Sequence, residues 1–420
     1  MTSSFEPLGG KGTAMSTSHR LYERLRSWAA IQPAAPFLIE AETGIILTYE
    51  QSFAACQTMR LRLGEEPRSI LLGLPGGIAN AIVWLSALTG GHTLIPIAPD
   101  TPAQEVARVT TLFPPDVIIT DQKEDGISNG RQLAHVLTRS DCETLIYQAP
   151  YDTCSVLPPA EGQACLRTSG SSGQPKSVLL SEPQIVWAAS QISYGHQLAP
   201  QDRGLAVLPF FHVNAPVVSL CASLLAGSSV VIAPRFSRSR FWSWIEHYQV
   251  TWASIVPTIL ALLLQTERPA FLPGMLRFVR TASAPLPAIQ LLQFERQFGV
   301  PVIETYGLTE AASQVCANPL PPEKHVPGSV GKPLGIALRV CHPNATTGQP
   351  LQDVLPGETG EICVAGPSVV SRYIDAAAPD TFQGDWFRTG DLGYQDTEGY
   401  IYLIGRLRDI ILRGGESIAP

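Results

Sequence analysis

Two passages of this chain repeat one pattern, and that pattern limits the folds open to it. In the first, the apolar run 70–74 ends at Pro75, and the small-residue stretch 76–88 reads as a helix stopped by Gly90 and Gly91. A second apolar run, 93–97, then ends at Pro99. In the second passage, 205–208 ends at Pro209, 214–225 reads as the helix, Gly227 is its stop, and 229–232 is a strand ending near Pro234. Strand, helix, glycine break and strand make a βαβ unit, and a right-handed crossover sets its two strands parallel. The expected fold class is therefore α/β, with two related α/β subdomains of the kind an internal duplication gives. From residue 335 the texture changes to short strands at 338–340, 360–364 and 400–404, punctuated by glycine and proline. That is the pattern of a small antiparallel sheet or β-barrel.

The remaining elements fill in around the units. Residues 18–63 offer two helical patches around a strand at 44–48. Then come a helix at 101–112, a strand at 116–120 and a surface loop at 121–130. Later helices are read at 240–248, from Pro257 to 264, and at 288–298, alternating with strands at 251–256, 276–280 and 300–304. The boundaries drawn from this are a disordered N-terminus at 1–18, subdomains at 19–195, 196–334 and 335–405, and a hinge at 406–420.

At 420 residues the chain is long enough for more than one core. A net charge of −7 without a basic cluster leaves no electrostatic footprint for nucleic acid or an anionic membrane. The longest apolar candidate, 253–264, is short and broken by Pro257, and it reads as core rather than a bilayer span. The N-terminus carries no signal-peptide core, and Met15 offers an alternative start. Eight cysteines without a CxxC pair suggest reduced thiols in a cytoplasm, rather than a disulfide framework or zinc site.

The chemistry concentrates at strand ends, where open α/β sheets place their ligands. The segment RTSGSSGQPKS (167–177) surrounds Gly170 and Gly173 with the hydroxyls of Thr168, Ser169, Ser171 and Ser172, and it closes on Lys176. Glycines let a backbone approach a polyphosphate, hydroxyls and N–H groups donate to its oxygens, and Lys176 adds a charge. It is not a Walker A loop, because Pro175 stands where the second glycine should be. The plain alternative is a flexible linker. In PFFHVN (209–214), His212 is either a satisfied core histidine or part of a pocket wall. TASAP (281–285) is a small-residue turn that would let a flat ring approach the backbone. ETYGLTE (304–310) offers Tyr306 for stacking, Thr309 for a phosphate and Glu310 for Mg²⁺, against the plainer reading of a capped helix start. In WFRTGDL (386–392), Asp391 could accept from two ribose hydroxyls, or TGD could be a simple turn. Together these clusters supply the parts of an ATP site.

RTSGSSGQPKS, ETYGLTE, FRTGD and GRLRDIILRGGESIAP, in that order, resemble the core motifs of the adenylate-forming superfamily. That superfamily comprises acyl- and aryl-CoA synthetases, nonribosomal peptide synthetase adenylation domains and firefly luciferase. The resemblance implies two α/β subdomains plus a β-barrel, followed after a hinge at Asp409 by a mobile C-terminal domain that this chain is expected to lack, together with its catalytic lysine. It implies ATP-binding roles for Thr168, Ser169, Gly170, Ser171, Ser172, Gly173 and Lys176 at the phosphates. Ser283, Ala284 and Pro285 would lie near adenine, with Glu304, Thr305, Tyr306 and Gly307 on the other side. Thr309 would touch the α-phosphate, Glu310 would hold Mg²⁺, and Asp391 and Arg406 would hold the ribose. Thr168, Lys176, Thr309 and Glu310 would carry catalysis. Ser172 stands where threonine is commoner, and Ser177 where glycine is usual.

The implied activity is that of an acid–CoA ligase using ATP, Mg²⁺ and coenzyme A. A carboxylate attacks the α-phosphate, giving an acyl-adenylate and pyrophosphate, and a thiol then displaces AMP. Without the C-terminal domain, weak adenylation and little thioester formation are expected. Alternatives are loading of a carrier protein, a non-catalytic acyl-adenylate-binding remnant, or a luciferase-like oxygenase. The acid-binding positions implied are Phe211, His212, Val213, Asn214, Ala282, Ser283, Gly307, Ala311 and Gln314. FFHVN lacks the aspartate with which amino-acid-activating members grip an ammonium group. Residues 313–331 resemble oxalyl-CoA synthetases, but those carry histidine where Ser313 stands. Phe210, Phe211, Val213, Ala282, Ala311 and Val315 are expected to line an apolar pocket for an aromatic or bulky alicyclic acid, as in secondary metabolism.

Overall fold

The computed structural model describes residues 20–121, 135–148, 157–168, 176–270, 274–343, 351–375, 381–409, 411–413 and 416–418. Both expected βαβ units are present. Ser69–Gly73, the helix Ile78–Thr89 and Thr93–Pro96 form the first, with the strands parallel and Ser69 opposite Thr93. Arg203–Ala206 and Ser229–Ile232 form the second, again parallel, with Arg203 opposite Ser229. Their connection departs from the expected single helix. Asn214–Cys221 winds as a π-helix before Ala222–Ala226 continues as α-helix. Pro216 has no N–H to give to an α-helical ladder, and the N–H of Ala222 reaches back five residues to the Val217 carbonyl.

Each unit sits in its own sheet. The first sheet has six strands, ordered His135–Thr138, Val117–Thr120, Ser69–Gly73, Thr93–Pro96, Gln163–Thr168 and Lys176–Ser181. Only its last pair is antiparallel. The second has nine strands. Its parallel centre runs Val302–Leu308, Phe278–Thr281, Trp252–Ile255, Arg203–Ala206, Ser229–Ile232, Pro36–Glu40. Antiparallel strands close both edges, with Ser313–Ala317 and Lys332–Pro333 at one and Ile46–Thr48 at the other. The strand Pro36–Glu40 was not legible from periodicity, being a short apolar run that opens on a proline. It carries the N-terminal segment into the second sheet rather than the first, with Leu38 opposite Val230.

One core serves both sheets. Every residue of Ile78–Thr89 is buried, as is every residue of Asn214–Cys221, and the two helices touch in the layer between the sheets. A helix apolar all round needs such a place. The third sheet is antiparallel. Ala337–Cys341, Gly360–Ala365, Trp386–Gln395 and Phe382–Gln383 lie in that order, and Ile401–Arg406 pairs with the long strand. Its own cluster of Ile362, Val364, Phe387 and Ile401 closes over Tyr306, Ala311 and Val315. Among the described residues, no helix is long and apolar enough to cross a membrane.

Trp84 lies at the centre of the shared helix layer, and its indole N–H is buried without an acceptor. Trp84→Ala should lower unfolding stability by about 3–5 kcal/mol. Trp84→Phe should cost clearly less, because it keeps much of the ring and removes an unsatisfied donor. Denaturant titration of the two variants checks the order.

Candidate active site

The site is assembled where the second and third sheets meet the edge of the first. The strand Val302–Leu308 carries ETYGL as extended chain and turns at Thr309–Ala311, a single 3-10 turn rather than the start of a longer helix. The chain then reverses into Ser313–Ala317 with Ala312 and Ser313 in the left-handed region, at φ 54° and 101°. Two strained non-glycine residues in succession hold this turn in one shape. Gly307 faces the reversal so closely that a side chain there would collide with the Ser313 backbone.

Tyr306 and Asp391 meet across this seam although 85 residues separate them. The Tyr306 hydroxyl donates to Asp391 Oδ2 at 2.6 Å, and Arg406 Nε lies 3.0 Å from Oδ1. Asp391 and Arg406 face each other across the antiparallel pair Trp386–Gln395 and Ile401–Arg406. The Asp391 N–H donates to Thr389 Oγ1 at 3.0 Å, which gives the FRTGD segment its local shape. Burial, reinforced by the Asp391 charge, pushes the Tyr306 phenol well above its ordinary pKa, so it is a neutral donor.

The basic end of the site arrives from the first sheet. Thr168 and Lys176 are directly opposite each other in the antiparallel pair Gln163–Thr168 and Lys176–Ser181. Ser169, Gly170, Ser171, Ser172 and Gly173 lie outside the described residues. Lys176 Nζ sits 4.5 Å from the centre of the Tyr373 ring, and the Tyr373 hydroxyl donates to Glu310 Oε1 at 2.7 Å. The Glu310 carbonyl accepts from the Val370 N–H at 2.8 Å. Ser177 donates from its N–H and its hydroxyl to Asp375, at 2.7 and 2.6 Å. The residue standing where glycine is usual therefore has a hydroxyl in use. Tyr373 and Asp375 were missed by the sequence reading, since nothing in SRYID marks them as partners of residues 63 and 198 positions away. Arg406 also acts electrostatically on Tyr373, so the Lys176–Glu310 group adjoins the Tyr306–Asp391 group.

Ser283, Ala284 and Pro285 are exposed, and Ser283 has φ 76°. Glu304 and Thr305 are buried beside them, with the Thr305 hydroxyl donating to the Thr281 carbonyl at 3.0 Å. Among the described residues Glu304 keeps one carboxyl oxygen without a partner, and burial raises its pKa to about 7. Asp409 ends the 3-10 turn Leu407–Asp409, with its carboxylate 3.4 Å from Arg408 Nε.

The acid-binding positions divide. Phe211 and His212 lie ring against ring, with centroids 4.5 Å apart, and His212 is exposed. Phe210, Ala311 and Val315, expected as pocket lining, are fully buried in packed clusters. Asn214 and Gln314 are joined by a buried polar relay. Ser254 Oγ donates to Asn214 Oδ1 at 3.0 Å, Arg280 Nη1 to Ser254 Oγ at 3.1 Å, and Arg280 Nε to Gln314 Oε1 at 3.1 Å. Arg280 was not singled out in the sequence. Only the clue that a charged residue interrupts an apolar strand pointed to it.

Two consequences can be measured. The raised Glu304 pKa means the folded state holds a proton that the unfolded state has released between pH 4.5 and about 7. Its contribution therefore falls as pH rises through that window. Glu304→Gln should flatten this dependence in thermal melts recorded from pH 4.5 to 8. Gly307→Ala should lower the melting temperature and abolish nucleotide binding by titration calorimetry, because the turn has no room for the added carbon.

Comparison with known proteins identifies the family. Residues 25–374 match the family of AMP-binding enzymes. The chain is 36% identical over 415 residues to a sulfoacetate–CoA ligase of Cupriavidus necator, covering 93% of this chain and 79% of that protein. It is 36% identical over 333 residues to an oxalate–CoA ligase of Arabidopsis thaliana, covering 76% and 60%. It also resembles a 2-succinylbenzoate–CoA ligase of Bacillus licheniformis, at 37% over 258 residues, covering 60% and 51%. In three dimensions it superposes on ATP-bound MatB from Rhodopseudomonas palustris with a TM-score of 0.81 at 24% identity, covering 94% of this chain and 81% of that one. The chain belongs to the AMP-binding enzyme family.

Proposed function

We propose that this chain is an acid–CoA ligase that activates a small carboxylic acid with MgATP and transfers the acyl group to the thiol of coenzyme A. The observation that supports it most is a pair of linked groups drawn from three sheets: Lys176 and Glu310 joined through Tyr373, and Tyr306 and Arg406 joined through Asp391, with Arg406 acting electrostatically on Tyr373. Adenylate-forming CoA ligases use ATP, Mg²⁺ and coenzyme A. The related ligases named for sulfoacetate, oxalate and 2-succinylbenzoate support a ligase acting on acids.

In this reading Thr168, Lys176 and the hydroxyls and amides of Ser169–Gly173 receive the outer phosphates. Ser283, Ala284 and Pro285 offer an open edge to the base. Asp391 keeps lone pairs for the ribose hydroxyls while Tyr306 and Arg406 fix its orientation. Thr309 would face the α-phosphate, and Glu310, oriented by Tyr373, would hold Mg²⁺, whose charge would offset that of the phosphates. The carboxylate oxygen of the acid forms a bond to the α-phosphorus as the bond to pyrophosphate breaks. The protein needs no nucleophile of its own, and its contribution is position and charge. An acid apolar throughout, such as the aromatic one suggested by FFHVN, draws on Phe211 and Val213. It is opposed by the polar relay that runs through Asn214 and Gln314. A cytoplasmic setting suits this chemistry and the free, buried state of all seven described cysteines.

Acid-dependent ATP–pyrophosphate exchange is the direct test. Lys176→Ala should reduce it by about 100-fold, the scale seen when one charge-stabilising group is removed. Asp391→Ala should act mainly by weakening ATP binding. Exchange indifferent to added acid, or unchanged in both variants, would remove the proposal.

A further inference from the structure

Arg280 lies on the strand Phe278–Thr281 with 1% of its surface exposed, and the nucleotide end of the site does not use it. A guanidinium carries five N–H donors. Among the described residues Arg280 finds two acceptors, Ser254 Oγ and Gln314 Oε1, both uncharged, and no carboxylate pairs with it. Burial pulls its pKa down to about 9, which still leaves it cationic at neutral pH. A buried cation without a counter-ion is costly, and such a group is retained most readily where an anion arrives to pair with it.

The surroundings are set up for an anion. Gln314 has its amide nitrogen buried beside His196, yet among the described residues neither that nitrogen nor either ring nitrogen of His196 has a hydrogen-bond partner of good geometry. Burial first, and then the charge of Arg280, keep His196 neutral down to about pH 3, so it brings no competing charge. Arg280 stands two residues before Ala282, and its relay ends on Asn214 and Gln314. Asn214, Ala282 and Gln314 are three of the positions to which the sequence resemblance gives the acid.

We propose that Arg280 is the specificity-determining residue for the acid, receiving a second anionic group at the end opposite the carboxylate that is activated. The substrate is then a short dianion, a dicarboxylate or a sulfocarboxylate. The planar fork of arginine matches a carboxylate or sulfonate through two parallel N–H bonds, which a lysine would not reproduce. The proposal rests on the ligase reading above.

The test uses the full chain with MgATP and two readouts, acid-dependent pyrophosphate exchange and thermal stabilisation. Malonate, succinate and sulfoacetate are compared with propionate, butyrate and benzoate. Dianions should be preferred in both readouts. Arg280→Met should lose that preference by about 30-fold or more in kcat/KM with ATP affinity unchanged, and Arg280→Lys should fall between. Equal or better response to the monoacids, or a dianion preference that survives in Arg280→Met, would overturn the assignment. Should Arg280→Met fail to fold, the wild-type preference and Arg280→Lys decide it. Stabilisation by dianions through Arg280 without any exchange would uphold this inference and defeat the ligase reading. Exchange with monoacids alone would do the reverse.

Discussion

A parallel sheet must be covered on both faces, and in this chain two sheets cover each other through a shared layer of helices. That layer contains Ile78–Thr89 and Asn214–Cys221, each buried along its whole length. Neither helix has a polar face to offer water, so neither βαβ unit could stand alone with its helix exposed. The crossing of the N-terminal strand Pro36–Glu40 into the second sheet follows the same logic, since its apolar residues need neighbours on both sides. The seam between the sheets, and the third sheet laid against it, are therefore consequences of burial rather than of any ligand.

The site uses that seam to bring opposite charges together, Asp391 and Arg406 in a direct pair and Lys176 and Glu310 through a tyrosine. Tyr373 stands between Lys176 and Glu310, offering its ring face to the cation and its hydroxyl to the carboxylate. Tyr306 plays a similar part toward Asp391, leaving Arg406 on the other oxygen. Neutral phenols are suited to this, because burial keeps both protonated. The positive φ angles at Ala312 and Ser313 flank Ala311 and Val315, which pack against the third sheet, and that packing holds backbone shapes an isolated peptide would avoid.

Arg280 extends the same economy to the interior. Its charge is spread over neutral oxygens of Ser254 and Gln314 rather than cancelled, and it adds to the burial that keeps the neighbouring His196 neutral. Glu304, buried on the strand Val302–Leu308, shows the opposite solution, retaining its proton close to neutral pH. Buried ionisable groups with such different fates mark the floor of the site as electrostatically unusual.

Much of this could be read along the chain because it is local. The βαβ units announce themselves through apolar runs closed by Pro75, Gly90, Pro209 and Gly227, and the nucleotide motifs through hydroxyls, glycines and carboxylates within single turns. The π-helical start at Asn214 was not legible, since its cause, Pro216 inside a fully packed helix, depends on what surrounds it. Nor were Tyr373, Asp375 and Arg280, whose partners lie far off in sequence. Local patterning determined which elements form and which chemical groups the chain carries. Only the tertiary structure decided which of those groups face one another, because contacts such as Tyr306 to Asp391 exist only once burial has forced three sheets together.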